Sequence, residues 1–123
     1  MRIARLIVFE SDGRLAAALR PLAADRGWSL REPRRQETVL RLLERGGPNL
    51  LLIRVGRDLE REFTLLARVT ERHPEASVVL LCDSDHPRLL GLGWDLGATY
   101  VLTAEQARAR LVELVEGLLR AEA

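Results

Sequence analysis

Apolar residues along the chain follow two alternating patterns. Short, nearly continuous runs of Val, Ile and Leu occupy Ile3 to Phe9, Asn49 to Val55, Ser77 to Cys82 and Ala98 to Thr103, and a weaker run occupies Trp28 to Glu32. Such runs suit strands buried on both faces of a parallel sheet. Between them, apolar residues recur at helical spacing. Leu15, Leu19 and Leu22 mark a first helix over about Gly13 to Arg26, capped by Ser11 or Asp12 and stopped by Gly27. Pro21 inside it predicts a kink or a loosened turn. Val39, Leu40, Leu42 and Leu43 mark a second helix over about Gln36 to Arg45, ended by Gly46-Gly47-Pro48. Phe63, Leu66 and Val69 or Thr70 mark a third over about Leu59 to Arg72, closed by His73-Pro74. A fourth covers about Pro87 to Leu96, and its two glycines, Gly91 and Gly93, give it the weakest helical propensity. Leu111, Val115 and Leu118 mark a fifth over about Glu105 to Arg120. Strands alternating with helices predict βαβ crossovers in one α/β domain spanning residues 1–123, a (βα)5 doubly wound five-stranded parallel sheet.

Composition narrows the chemistry. The 19 basic and 18 acidic residues leave a formal charge of +1, so whole-molecule attraction to nucleic acid or anionic membrane is not expected. All 19 basic residues are arginine, which excludes any mechanism needing a lysine amine. One cysteine excludes an internal disulfide and a Cys-rich zinc site. No apolar run approaches the roughly 20 residues that span a bilayer, and the opening residues lack the features of a signal peptide. The expectation is a cytoplasmic protein.

Ligands of doubly wound sheets bind outside the carboxyl ends of the strands. The loop after the first strand, Phe9-Glu10-Ser11-Asp12-Gly13, has one glycine and one serine, too few for a dinucleotide or flavin phosphate site. Cys82 lies at a strand end with no histidine placed to activate it, and reads as a small buried apolar residue. His73 and His86 each precede proline and read as turn residues. Glu10, Asp12, Asp83 and Asp85 fall where they can converge, a pattern that suits magnesium. Arg54, however, projects from the adjacent third strand. The competing reading is a Glu10–Arg54 charge pair that closes the pocket and displaces a metal.

Several motifs fall in a fixed order without gaps: Leu6-Ile7-Val8-Phe9-Glu10, Gly27-Trp28 through Leu43, Pro48-Asn49-Leu50-Leu51-Leu52-Ile53, His73-Pro74 followed by Val78-Val79-Leu80-Leu81, and Gly97-Ala98. Together they resemble the receiver domain of bacterial response regulators over about residues 3 to 120, and so imply the flavodoxin-like receiver fold. At the functional positions the resemblance implies loss. The pair of magnesium-holding acids falls on Phe9 and Glu10, and the phospho-accepting aspartate on Arg54. The phosphate-reading Thr or Ser falls on Cys82, and the switch aromatic on Val101, next to Tyr100. The lysine falls on Ala104, its following proline on Glu105, and the proline after the acceptor loop on Asp58.

The resemblance therefore implies a two-component signalling domain that is not an enzyme, holds no cofactor or metal, and does not take a phosphoryl group. Function then falls to a surface. The face of the fourth helix, fifth strand and fifth helix, carrying Leu90, Trp94, Val101, Thr103 and Leu114, is expected to bind a protein partner or a second copy. One alternative is a phosphoreceiver with a displaced acceptor at Asp12, Asp58 or Asp83. Another is nucleic-acid binding through Arg31, Arg34, Arg35, Arg41 and Arg45, where interleaved Glu32, Glu37 and Glu44 instead suggest a solvated charged surface.

Overall fold

The computed structural model describes residues 3–122, with side chains described through residue 120. Five strands and five helices alternate: β1 Arg5–Phe9, α1 Arg14–Arg26, β2 Ser29–Arg31, α2 Gln36–Glu44, β3 Asn49–Val55, α3 Leu59–Arg72, β4 Ser77–Cys82, α4 Pro87–Asp95, β5 Tyr100–Thr103 and α5 Ala104–Glu122. All pair in parallel, in the order β2-β1-β3-β4-β5. The order reverses between β1 and β3, so a crevice opens above those two strands.

The period of two in each strand sorts side chains between two cores. Ile7, Leu51, Ile53, Val78 and Leu80 face α2, α3 and α4. Leu6, Val8, Leu50, Leu52, Val79 and Leu81 face α1 and α5. Leu50, Leu51, Leu52 and Ile53 are all fully buried, which is why β3 reads as an unbroken apolar run and not an alternating one. Arg54 continues this strand as its first half-buried residue.

Three sequence expectations are corrected locally. Gly13, in a left-handed conformation, occupies the N-cap of α1, so neither Ser11 nor Asp12 is its N-cap residue. The helix runs unbroken through Pro21, because Ala16, Leu19 and Ala23 are buried against the sheet while Pro21 is exposed. On α5 the third core position is Leu119, with Leu118 only partly buried.

Two glycines have packing reasons. A Cβ at Gly93 would lie 2.7 Å from Leu80 Cδ1, so glycine lets α4 approach β4 and β5 closely. Gly97 has φ +102°, and a Cβ there would also lie 2.5 Å from Thr70 Cγ2. Among the described residues, no helix is long and apolar enough to cross a membrane.

Candidate functional site

The crevice above β1 and β3 is organised by one arginine. Arg54 leaves the carboxyl end of β3 with its side chain 26% exposed. Its Nε donates to Asp83 Oδ1 at 3.1 Å, and its Nη1 donates to both carboxylate oxygens of Asp12 at 3.1 Å. Glu10 Oε1 lies 3.7 Å from the same Nη1. Three carboxylates thus surround one guanidinium, each from a different kind of position: Glu10 directly after β1, Asp12 in the loop to α1, Asp83 directly after β4. Arg57 adds an outer cation, 3.7 Å from Asp12.

Glu10 does more than balance charge. Its side chain is only 3% exposed. Its carboxylate accepts the N–H groups of Leu15 at 3.0 Å and Ala16 at 2.8 Å. These are first-turn donors of α1 that have no partner inside the helix, and the positive end of the helix dipole favours the anion there. Asp12 adds a third acceptor by taking the Arg14 N–H at 3.0 Å. The first turn of α1 is therefore capped by the same acids that hold Arg54.

Charge follows from this geometry. The Arg14 backbone N–H, aided by the Arg54 and Arg14 charges, holds the Asp12 carboxyl below its usual range. Burial alone would lower the Arg54 pKa. The hydrogen bond and charge of Asp83, with the charges of Asp12 and Glu10, outweigh it and move the guanidinium up. Asp12 thus has a folded pKa below its ordinary 3.8, and an acid of that kind stabilises the fold above its unfolded pKa. That contribution is lost as pH falls through the folded pKa. Urea unfolding midpoints followed downward from pH 5 should therefore decline below the ordinary Asp range, and the decline should be shallower in Asp12→Asn.

The neighbouring positions are apolar or structural. Phe9 is buried, with the Arg61 guanidinium 4.9 Å from its ring centroid. Cys82 is buried at the end of β4, where burial first, then Asp83 and Glu62, push its thiol up to about 11. A thiol held neutral is no nucleophile. Ala104 begins α5 and, with Ala107, Leu15, Arg14 and Arg108, lines a cleft of about 350 Å³ beside Arg54. Asp58 accepts the Arg61 N–H as the N-cap of α3. Asp85 is exposed. His86 caps α4, its Nδ1 accepting from the Arg88 N–H.

Sequence reasoning missed Glu62. It is 4% exposed and accepts the N–H groups of Gly56 at 2.8 Å and Asp58 at 3.2 Å, so it ties down the loop from β3 to α3. It also missed the reciprocal cap of α5. Thr103 Oγ1 accepts the Gln106 N–H while Gln106 Oε1 accepts the Thr103 N–H, the pairing that Thr103-Ala104-Glu105-Gln106 spells out as a capping box.

The face of α4, β5 and α5 differs from the expected set in two members. Val101 is buried against Gly93 in the core and offers nothing to a partner. The Thr103 hydroxyl is committed to its cap. Leu90 and Leu114 pack partly against the two cores. Trp94 is 49% exposed and meets Tyr100, itself 43% exposed, edge to face at 6.1 Å. Leu92 is also exposed. Beside Tyr100, a groove of about 440 Å³ runs along α5, lined by Leu102, Leu114, Gly117 and Leu118.

The arginines considered for nucleic acid do not share one surface. Arg34 Nη1 donates to Ser11 O at the carboxyl ends of the strands. Arg31 and Arg45 line a cleft with Arg5, at the opposite end.

No protein-family model matches the sequence, and no curated protein matches it. Solved structures match almost the whole chain. The signal receiver domain of an HD domain-containing protein from Pseudomonas fluorescens Pf-5 superposes with TM-score 0.81 at 19% identity, covering 99% of this chain and 90% of that one. A CheY-like response regulator receiver domain protein from Methanospirillum hungatei JF-1 superposes with TM-score 0.80 at 13% identity, covering 98% and 97%. The beryllofluoride-activated NtrC4 receiver domain, solved in solution as a dimer, gives TM-score 0.78 at 10% identity, covering 97% and 98%. The chain has the receiver fold. Magnesium, which a receiver fold implies, does not suit the residues here. A divalent cation needs carboxylate oxygens free to converge on it, and both oxygens of Asp12 and Oδ1 of Asp83 already converge on the Arg54 guanidinium.

Proposed function

We propose that this receiver fold serves as a signalling module that takes no phosphoryl group and acts by binding a protein, either a partner or a second copy, through the face of α4, β5 and α5. The observation that carries the reading is the position of Arg54. A guanidinium cannot form an acyl phosphate, and it stands at the strand end where the resemblance puts the acceptor aspartate. Phosphoryl transfer to a carboxylate needs a nucleophile, a divalent cation and cations around the phosphoryl oxygens. Here the strand-end nucleophile is replaced, one metal acid is Phe9, and the lysine position is Ala104. The displaced acceptors are each engaged elsewhere: Asp12 and Asp83 by Arg54, Asp58 as a helix cap.

The binding half of the proposal rests on Trp94 and Tyr100, large aromatic side chains that are both exposed and meet edge to face. Aromatic anchors of this kind dominate interface energies. The NtrC4 receiver is a dimer in its beryllofluoride-activated state, which favours self-association as one form of this contact.

An amide NMR titration with magnesium and then beryllofluoride tests the first half. The expected result is no saturable shift at Glu10, Asp12 or Asp83. Localised, saturating shifts there would restore the displaced-acceptor reading. Sedimentation velocity and affinity capture with Trp94→Ala test the second. The variant should lose the association that the native chain shows, and unchanged association would remove this face from the proposal.

A further inference from the structure

The end of the sheet opposite Arg54 carries a second concentration of charge. Arg5 at the start of β1, Arg31 at the end of β2 and Arg45 after α2 line one cleft of about 420 Å³, together with Ser29, Gly46 and Gly47. Arg5 is fixed in place by neutral acceptors. Its Nη1 donates to Leu42 O at 3.0 Å and to Asn49 Oδ1 at 3.1 Å, and Asn49 donates in turn to Gly46 O. Arg31 Nε donates to Ser29 Oγ at 3.3 Å. None of the three arginines pairs with a carboxylate among the described residues. What sets these three apart from the other arginines is that they line a single cleft. The neighbours raise the cost of the cluster: burial, then the charges of Arg45 and Arg31, lower the Arg5 pKa.

We propose that this cleft binds a small ligand carrying adjacent phosphoryl groups, held by the guanidiniums of Arg5, Arg31 and Arg45. Three guanidiniums without carboxylate partners around a concavity match a multiply charged oxyanion, since each can still give two parallel N–H donors to phosphate oxygens. The recessed shape favours a small molecule over a nucleic-acid strand. A strand would need an extended basic stripe and stacking aromatics. Arg34 turns to the other end of the sheet, and Trp28 packs against the opposite core.

The test is an amide NMR titration of the native chain with inorganic pyrophosphate. Inorganic phosphate, adenosine diphosphate and a short DNA duplex are run as parallel arms. The expected result is saturable shifts confined to Arg5, Ser29, Arg31 and Arg45 to Gly47, weaker with phosphate and suppressed by salt. The double variant Arg31→Gln/Arg45→Gln, both at exposed positions, should fold normally and bind at least about tenfold more weakly. Tighter binding of the nucleotide than of pyrophosphate would mark a phosphorylated organic ligand, and equal binding the phosphoryl pair alone; both support the proposal. Three results would overturn it: no saturable shift at this cleft, shifts centred on Arg14 and Arg108, or equal affinity in the double variant. Saturable binding of the duplex through these residues with none by pyrophosphate would overturn it too.

Discussion

Arg54→Ala is expected to lower stability by about 2 kcal/mol, on the order of 8 °C in Tm for a domain of this size, and to make the protein respond to magnesium. Removing the guanidinium leaves Glu10, Asp12 and Asp83 grouped around a lost cation. Like charges then repel, and the hydrogen bonds Arg54 gave to Asp12 and Asp83 disappear. Partial exposure of the site limits the loss, since water resolvates two of the three acids. The freed oxygens become available to a hard cation. Magnesium at ten times its dissociation constant would return about 1.4 kcal/mol by mass action. Thermal unfolding with and without millimolar magnesium measures both effects. The native protein should show no gain. If the variant melts at the native temperature and ignores magnesium, Arg54 is not the cation that organises this crevice.

Glu10→Ala should cost more, about 3 to 4 kcal/mol, because the group is buried and has three tasks. It leaves the Leu15 and Ala16 N–H groups without their acceptor at the start of α1, and it withdraws one counter-charge from Arg54. Glu10→Gln keeps an acceptor oxygen but not the charge, and should cost about 1 kcal/mol. Urea unfolding of both variants measures the gap between them. Equal losses would mean that charge, not helix capping, is what Glu10 supplies. Hydrogen exchange adds a local check: the first turn of α1 should open faster in Glu10→Ala while the amides of β3 and β4 stay protected.

The fold was readable because the three central strands, β1, β3 and β4, are sealed on both sides. Leu50 to Ile53 and Val78 to Leu81 are continuous apolar runs, and such runs between helical periods have few arrangements. Helix phase was readable where leucines are frequent, as in α2, where all four expected core residues are buried. It failed at the end of α5, where Leu118 and Leu119 are adjacent and only packing chooses between them. Pro21 misled because propensity describes an isolated helix, and the buried side of α1 overrides it. At the candidate site, strand-end geometry brought Glu10, Asp12, Arg54 and Asp83 to one place, but the share each takes of Arg54 was not readable. Asp12 and Asp83 take the hydrogen bonds, because Glu10 is turned toward the helix end. Burial of Val101 had a signal in the sequence, since Gly93 leaves room on α4 for a side chain from β5. The capping box at Thr103 had one too, in its spacing. Glu62 had none: a carboxylate in a first helical turn normally faces water, and only the path of the loop brings Gly56 and Asp58 to it.

The cation at the centre of the crevice is covalently part of the chain, and that sets how it can be replaced. A dissociable ion can be exchanged without altering the gene; Arg54 cannot. A single change of Arg54 to aspartate would set four carboxylates together, with only Arg57 and Arg14, both beside Asp12, as nearby counter-charges. The arrangement therefore acts as a latch: the crevice keeps its charge balance whatever ions the solvent holds, and a change at Arg54 has to be matched by changes among Glu10, Asp12 and Asp83.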